Sequence, residues 1–405
     1  MHEPSQPINL KNRIHTLDLL RGFAVLGILM MNITSFSQIS IAYMNPTIGG
    51  GLEGYNQYFH AFNYIFADTR FMSIFSILFG AGVVLFTQRI EAKGKRVNAL
   101  HYKRMFWLLI FGLIHAYFIW AGDILVTYAI CGILVFFFRK KSIQKLFILA
   151  VIMFLIPISL NFMTYYGMPA VELESTFAFF DPSKEEIASQ TKAMRGSYLK
   201  QMPLRVDDAI QIQTIGFIIE MFWRACAMMF LGMILYRKGI LSAEKSTVFY
   251  RKLMWLGFIP GLILSGIGLS QAYDFEWNAA YIMNIGANYK FVSGLFMALG
   301  YIGLVIWCNK KRILKKFQNR LQAVGRMAFT NYIGMSVICT LIFNGNGLGL
   351  FGMLDRLQQF LIVISVWVLI LILSPLVLKN YRFGPLEWLW RKLTYFNVGK
   401  NPSQK

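Results

Sequence analysis

The chain has 405 residues, of which 56% are hydrophobic, 16% aromatic and only 15% charged. A soluble domain carries about 25% charged residues, so an ordinary water-soluble protein is excluded. The net charge of +21 is spread rather than gathered: thirty of the forty Lys and Arg residues fall into six clusters separated by long apolar runs. That pattern excludes nucleic acid as the partner and reads as positive-inside topology with attraction to anionic lipid.

The clusters lie at Lys11–Arg13, Arg89–Arg104, Arg139–Lys145, Arg237–Lys252, Lys310–Arg326 and Lys379–Lys405. A span needs about 20 apolar residues. The runs near 16–36, 59–87, 105–120, 124–138, 146–163, 212–236, 253–271, 291–308, 327–343 and 358–378 meet that need. The expected fold is an all-α polytopic membrane bundle of about ten helices, a single integral domain over 1–405. With the N-terminus inside, every basic cluster falls on the cytoplasmic side and the C-terminus is inside too.

The first run carries Asp18 and Arg21 and no small-residue cleavage pattern follows it, so it is expected to stay as the first helix. Asp18 and Arg21 are i,i+3 neighbours and can pair. Asn32 follows Arg21 by about three turns and shares its face. The face is either one wall of a solvated cleft or an ion pair plus a cross-helix Asn bond.

Span two holds Asp68 and Arg70, with His60 near its outer start. Asp68 and Arg70 are about 200° apart around a helix, so at least one must find a partner elsewhere. Residues 105–138 are one apolar run broken only at Gly122-Asp123. A single helix of that length would be ~51 Å long, against a ~30 Å core. The run is therefore expected to be a short helical hairpin turning at Trp120-Ala121-Gly122-Asp123. Its first arm holds His115, which is either a general base, the commonest role of an imidazole in proton transfer, or a neutral His bonded to a helix. Asp123 would fix its tautomer if the turn folds back.

The longest loop, 164–211, is extracytoplasmic on this topology. Ser183 and Glu186 have capping-box spacing, which predicts an amphipathic helix to about Met202 that could lie over the outer face as a lid. Span six holds Glu220 and Arg224 in favourable i,i+4 order. Span nine opens with Thr330 and Asn331, which could serve packing or a ligand. At the end, 384–405 is expected to be a cytoplasmic interfacial tail. Pro385 suits a first helical turn, Trp388 and Trp390 suit the headgroup level, and Glu387 and Arg391 are i,i+4. Cys131, Cys226, Cys308 and Cys339 make no CxxC pair and read as small core residues, with no metal site. P-loop, HExxH and GxSxG patterns are absent.

Five stretches together resemble the YeiB-like (YrkO-like) family of bacterial multi-pass membrane proteins. They are Leu17-Asp18-Leu19-Leu20-Arg21-Gly22 with Asn32, Phe75-Ser76-Ile77-Leu78-Phe79-Gly80, and His115 with Gly122-Asp123 and Tyr128. The others are Gly325-Arg326-Met327-Ala328 with Thr330-Asn331-Tyr332, and Gly384-Pro385-Leu386-Glu387-Trp388. The resemblance covers nearly the whole chain. It implies the fold and a bacterial cell-membrane location but no reaction, since the family is classed as a domain of unknown function.

More distantly, Asp18-x-x-Arg21-Gly22 resembles the first span of transmembrane acyltransferases. That resemblance implies acyl transfer from cytoplasmic acyl-CoA, a co-substrate and not a bound cofactor, to an extracytoplasmic or lipid-linked acceptor. The acyltransferase-three pattern has a His where Asn32 stands, so the base would be His115 or His60, oriented by Asp123 or Asp68, or there is none. Arg21 would hold the donor's phosphates, and Asp18, Asn32, Arg70, Arg224, Thr330 and Asn331 are further substrate-binding candidates. A transporter of a small anion or metabolite, its path lined by Arg21, Arg70 and Arg224, is the competing expectation. A non-catalytic membrane scaffold is the third.

Overall fold

A computed structural model describes residues 14–94 and 96–396, and within them no strand occurs. The basic cluster Lys11–Arg13 and the last part of the tail lie outside the described residues. Among the described residues seven helices are long and apolar enough to cross a membrane, or eight if one pair bent by 85° counts as a single span. The fold is a polytopic membrane helical bundle.

The first helix, α1 (His15–Ser37), is the axis of the bundle, with 78% of its apolar stretch buried. The break-and-resume pair α2 (Asn56–Phe66) and α3 (Arg70–Glu91) follows, then the hairpin α4 (Val97–Phe118) and α5 (Leu125–Phe137), then α6 (Ile143–Gly167). On the sequence side of the long loop lie α7 (Ala170–Thr176), α8 (Lys184–Met194) and α9 (Tyr198–Gln211), which runs through a π-helix (Ile212–Met221) into α10 (Phe222–Arg237). Next come α11 (Thr247–Asp274), the single turn α12 (Ala279–Tyr281), a second π-helix (Ile282–Gly286) and α13 (Ala287–Lys310). The bent pair α14 (Lys315–Arg326) and α15 (Ala328–Phe343), then α16 (Arg356–Asn380) and α17 (Pro385–Tyr395), complete the chain.

Around α1 pack α3, α14, α15 and α16, while α10 lies between α3 and α6, and α11 pairs with α13. Lipid offers no hydrophobic drive between helices, so close backbone approach through small residues carries much of the association. Two crossings show it. A Cβ on Gly22 would stand 1.9 Å from the Leu321 carbonyl oxygen, and one on Gly325 1.8 Å from that of Asp18. At the α3–α10 crossing, Gly80 faces the Met229 carbonyl and Gly232 that of Ile77 in the same reciprocal way. By contrast only 17% of the apolar stretch of α6 and 22% of that of α16 is buried. Their exposed Leu, Ile and Phe side chains form the surface expected against lipid.

The hairpin turns over 119–124, as its length requires, but α4 begins at Val97, well before the apolar run. Val97, Leu100 and His101 are buried there, so packing extends the helix beyond the hydropathic signal. Span two is not one helix. It breaks at Thr69, which has a left-handed φ of 64°, and this break lets the Arg70 guanidinium reach back to the Asp68 carbonyl. In the long loop after α6 the Ser183–Glu186 capping box is present. The helix it starts ends at Met194 instead of continuing to Met202, because the chain turns through Arg195–Ser197 before α9. The α8 segment is fastened to the α15–α16 connection: Gly345 N–H donates to the Met194 carbonyl at 3.0 Å, and Arg195 Nε to that of Phe351 at 2.6 Å.

Candidate functional site: a buried histidine–aspartate pair

The α4–α5 hairpin brings His115, four residues before the turn, against Asp123, which closes it. His115 Nδ1 lies 2.8 Å from Asp123 Oδ1, and both side chains are buried. The second carboxylate oxygen accepts the Val126 N–H at 2.8 Å, in the first turn of α5. Asp123 is thus held from two sides, and a Cβ on Gly112 would stand 2.7 Å from Val126 N, so the two arms can close on each other only where α4 lacks a side chain. With Nδ1 committed to the carboxylate, the other ring nitrogen is left: His115 Nε2 is buried and has no hydrogen-bond partner among the described residues. A buried polar atom in that condition calls for an explanation.

Two aromatic rings flank the imidazole, Tyr332 of α15 at 5.1 Å and Trp120 of the turn at 6.1 Å between centroids. These same rings wall a small cavity together with Ile28, Leu29, Asn32, Phe36, Met335 and Ser336. Its volume is about 10 Å³, about what one water needs. Phe36 stacks on Trp120 at 4.1 Å, and Gly352 N–H donates to the Ser37 carbonyl at 2.7 Å, so the C-terminal end of α1 is closed by the turn of the hairpin and the α15–α16 connection. Asn32 therefore shares a cavity with the two rings that flank His115. Sequence reading did not find Tyr332 or Trp120 as site residues.

His60 stands elsewhere. It packs edge-on against Trp277 at 5.2 Å and is not hydrogen-bonded to Asp68. Asp68 is held by Lys290 at 3.1 Å and by the Tyr43 hydroxyl at 2.7 Å. Tyr43, in a short turn outside the spans, ionises well above its usual range, chiefly through burial and then through the Asp68 charge. Arg70 is fully buried. Its Nη2 donates to Ser265 Oγ of α11 at 2.6 Å and to Ser293 Oγ of α13 at 3.0 Å, so both halves of the expected cross-helix pairing are present. Arg224 pairs with Glu220 of its own helix and lies over the Phe291 ring at 4.9 Å.

At the N-terminal end of α1 Arg21 Nη1 lies 3.1 Å from Asp18 Oδ1, the i,i+3 pair the sequence predicts. Thr330 and Asn331 are tied into the bundle. Thr330 and Phe329 offer their N–H groups to Glu387 Oε1 at 3.0 and 2.7 Å, and Asn331 Nδ2 donates to Val324 O and Ser374 Oγ. Glu387 of α17 is therefore the anion at the start of α15. Burial pushes its carboxyl above the usual range, outweighing these hydrogen bonds. The four cysteines are free thiols. Among the described residues no cluster of His, Cys, Asp and Glu could hold a metal ion.

This architecture defines a class: a polytopic helical membrane protein with a buried His–Asp pair beside a small cavity near the C-terminal end of its central helix. Comparison with known proteins places the chain more closely. It is 32% identical over 410 residues to the uncharacterised protein YxaH of Bacillus subtilis (strain 168), covering 97% of this chain and 96% of that one. It is 29% identical over 388 residues to the uncharacterised protein YeiB of Escherichia coli (strain K12), covering 95% and 97%. Residues 235–397 match the family described as protein of unknown function (DUF418). The chain belongs to this YeiB-like family. No solved structure matches it.

Proposed function

We propose that the chain sits in the bacterial cell membrane with about ten crossings, both termini inside, and transfers an acyl group from cytoplasmic acyl-CoA to an extracytoplasmic or lipid-linked acceptor. The observation that carries this reading is the His115–Asp123 pair, with Nε2 unpartnered next to the cavity that Asn32 lines. His115 lies ~27 Å along α4 from Val97 by helical rise, near the outer end on this topology, where such an acceptor would meet it.

Asp123 keeps the proton on Nδ1 and leaves Nε2 basic, the logic of an oriented general base. The acceptor's hydroxyl or amine would attack the thioester carbonyl while Nε2 takes its proton. The new C–O or C–N bond forms, the C–S bond breaks, and the leaving thiolate takes the proton back from the imidazolium. Asn32 would orient the acceptor, and Arg21, held by Asp18 at the inner end, would receive the donor's phosphates. The test is acyl-CoA binding by the purified protein. Saturable binding that weakens in Arg21→Ala supports the donor site, and its absence at millimolar acyl-CoA in folded protein removes it.

One set of observations favours transport of a small anion instead. The helices that carry Arg70, Arg224 and Lys290 are each interrupted just before the charge, by the Thr69 break and the two π-helices. Discontinuous helices with buried charges are a transporter arrangement. Flux into sealed vesicles without any dependence on acyl-CoA would select that reading.

A further inference from the structure

Arg104, on the first third of α4, is a half-buried cation that the proposed chemistry does not use. Its guanidinium lies between two rings, 4.7 Å from the Phe86 centroid and 4.5 Å from that of Trp390. Among the described residues it makes neither a hydrogen bond nor an ion pair. Stacking satisfies the faces of a guanidinium but leaves its N–H edges, and those edges match a phosphate. The surroundings add positive charge and no free carboxylate. Burial is the main influence against the charge on Arg104, the Tyr395 phenol favours it, and the fields of Arg21 and Arg391 oppose it; Lys103 is its neighbour in sequence. The nearby acids are committed, Asp18 to Arg21 and Glu387 to the start of α15.

Exposed rings accompany these cations. Trp388 of α17 is 53% and Phe396 61% exposed, Lys103 donates to the Phe396 carbonyl, and Lys392 stands over the Trp388 ring at 5.1 Å. Exposed rings beside cations suit the headgroup level of a bilayer, whereas a site for a water-soluble phosphate has no use for them. We propose that Arg104, with Arg391 beside it, binds the phosphate of an anionic phospholipid headgroup of the inner leaflet, and that Trp390 makes α17 one wall of that site. Trp390 Nε1 also donates to the Arg104 carbonyl at 3.0 Å, so the site fastens α17 to the helix that carries His115. The proposal is independent of acyl transfer.

The test is the melting temperature of the purified protein in detergent, titrated with dioleoylphosphatidylglycerol, dioleoylphosphatidylcholine or coenzyme A. The expected result is stabilisation by the anionic lipid at about fivefold lower concentration than by the zwitterionic one, the factor one basic contact supplies. That preference should vanish in Arg104→Gln and persist in Lys311→Gln, an exposed inner-side control. Should Arg104→Gln fail to fold, Arg391→Gln is to lose the preference in part. Equal response to the two lipids in the native protein overturns the proposal, as does a preference retained in both Arg variants. So does stabilisation by coenzyme A alone that Arg104→Gln abolishes, which would assign the site to a soluble phosphate.

Discussion

His115 Nδ1 and Asp123 Oδ1 are 2.8 Å apart across eight residues of chain, so one short turn between two helices builds the whole pair. The pair needs no distant element to form, but it needs α15 and α1 to enclose it. If it is a base and its orienter, His115→Ala should lower turnover by about 10²–10⁴-fold, with acyl-CoA binding retained. Asp123→Asn should lower turnover as well, by favouring the wrong tautomer. Steady-state rates of the two variants and of the double variant check this, and near-equal losses in all three would mark the residues as one unit.

The α1–α14 crossing depends on two glycines. Gly22→Ala or Gly325→Ala puts a methyl group within 2 Å of a backbone oxygen, which backbone cannot avoid by rotamer change. Each should cost about 1–3 kcal/mol or more as overpacking. Gly266→Ala, with nothing within 4 Å of its Cβ, should be near neutral. Melting temperatures in detergent distinguish them.

Asp68, buried, and Lys290, partly buried, form an ion pair at 3.1 Å. Removing one charge leaves the other buried, at a typical cost of about 3–5 kcal/mol. Lys290→Met should therefore reduce folded yield strongly, and Lys290→Met combined with Asp68→Asn should restore part of it. Yield of monodisperse protein is the readout. A double variant no better than the single would show that the pair does not act as one.

Glu387 supplies a pH dependence. Its folded carboxyl titrates above the ordinary Glu range because burial disfavours the charge. The folded state therefore holds that proton to higher pH than the unfolded chain. Stability from this group is greatest below the unfolded value and falls as pH rises through the raised folded one. The native protein should lose stability over that interval, while Glu387→Gln should lack this slope. Melting against pH in both proteins is the check.

The helices, their order and the hairpin were legible because hydropathy and length act along the chain. The His115–Asp123 pair was legible for the same reason, its partners being close in sequence. Tyr332 was not, since its hydroxyl meets the Ile124 N–H across 208 residues. Glu387 was read with Arg391 on its own helix, yet its oxygens go to Phe329 and Thr330, more than fifty residues back. The break at Thr69 carries no Gly or Pro to announce it. There the need of Arg70 for Ser265 and Ser293 outweighs helix continuity.

The central claim is that His115 removes a proton during acyl transfer. It is tested most directly by following label from radioactive acetyl-CoA into the lipid and water-soluble acceptors of proteoliposomes made from bacterial lipid. Transfer by the native protein is expected, with a loss of at least about a hundredfold in His115→Gln and acetyl-CoA binding unchanged. Equal transfer by the two proteins, or no transfer by the native protein alongside acyl-CoA-independent flux of a small anion, would contradict it.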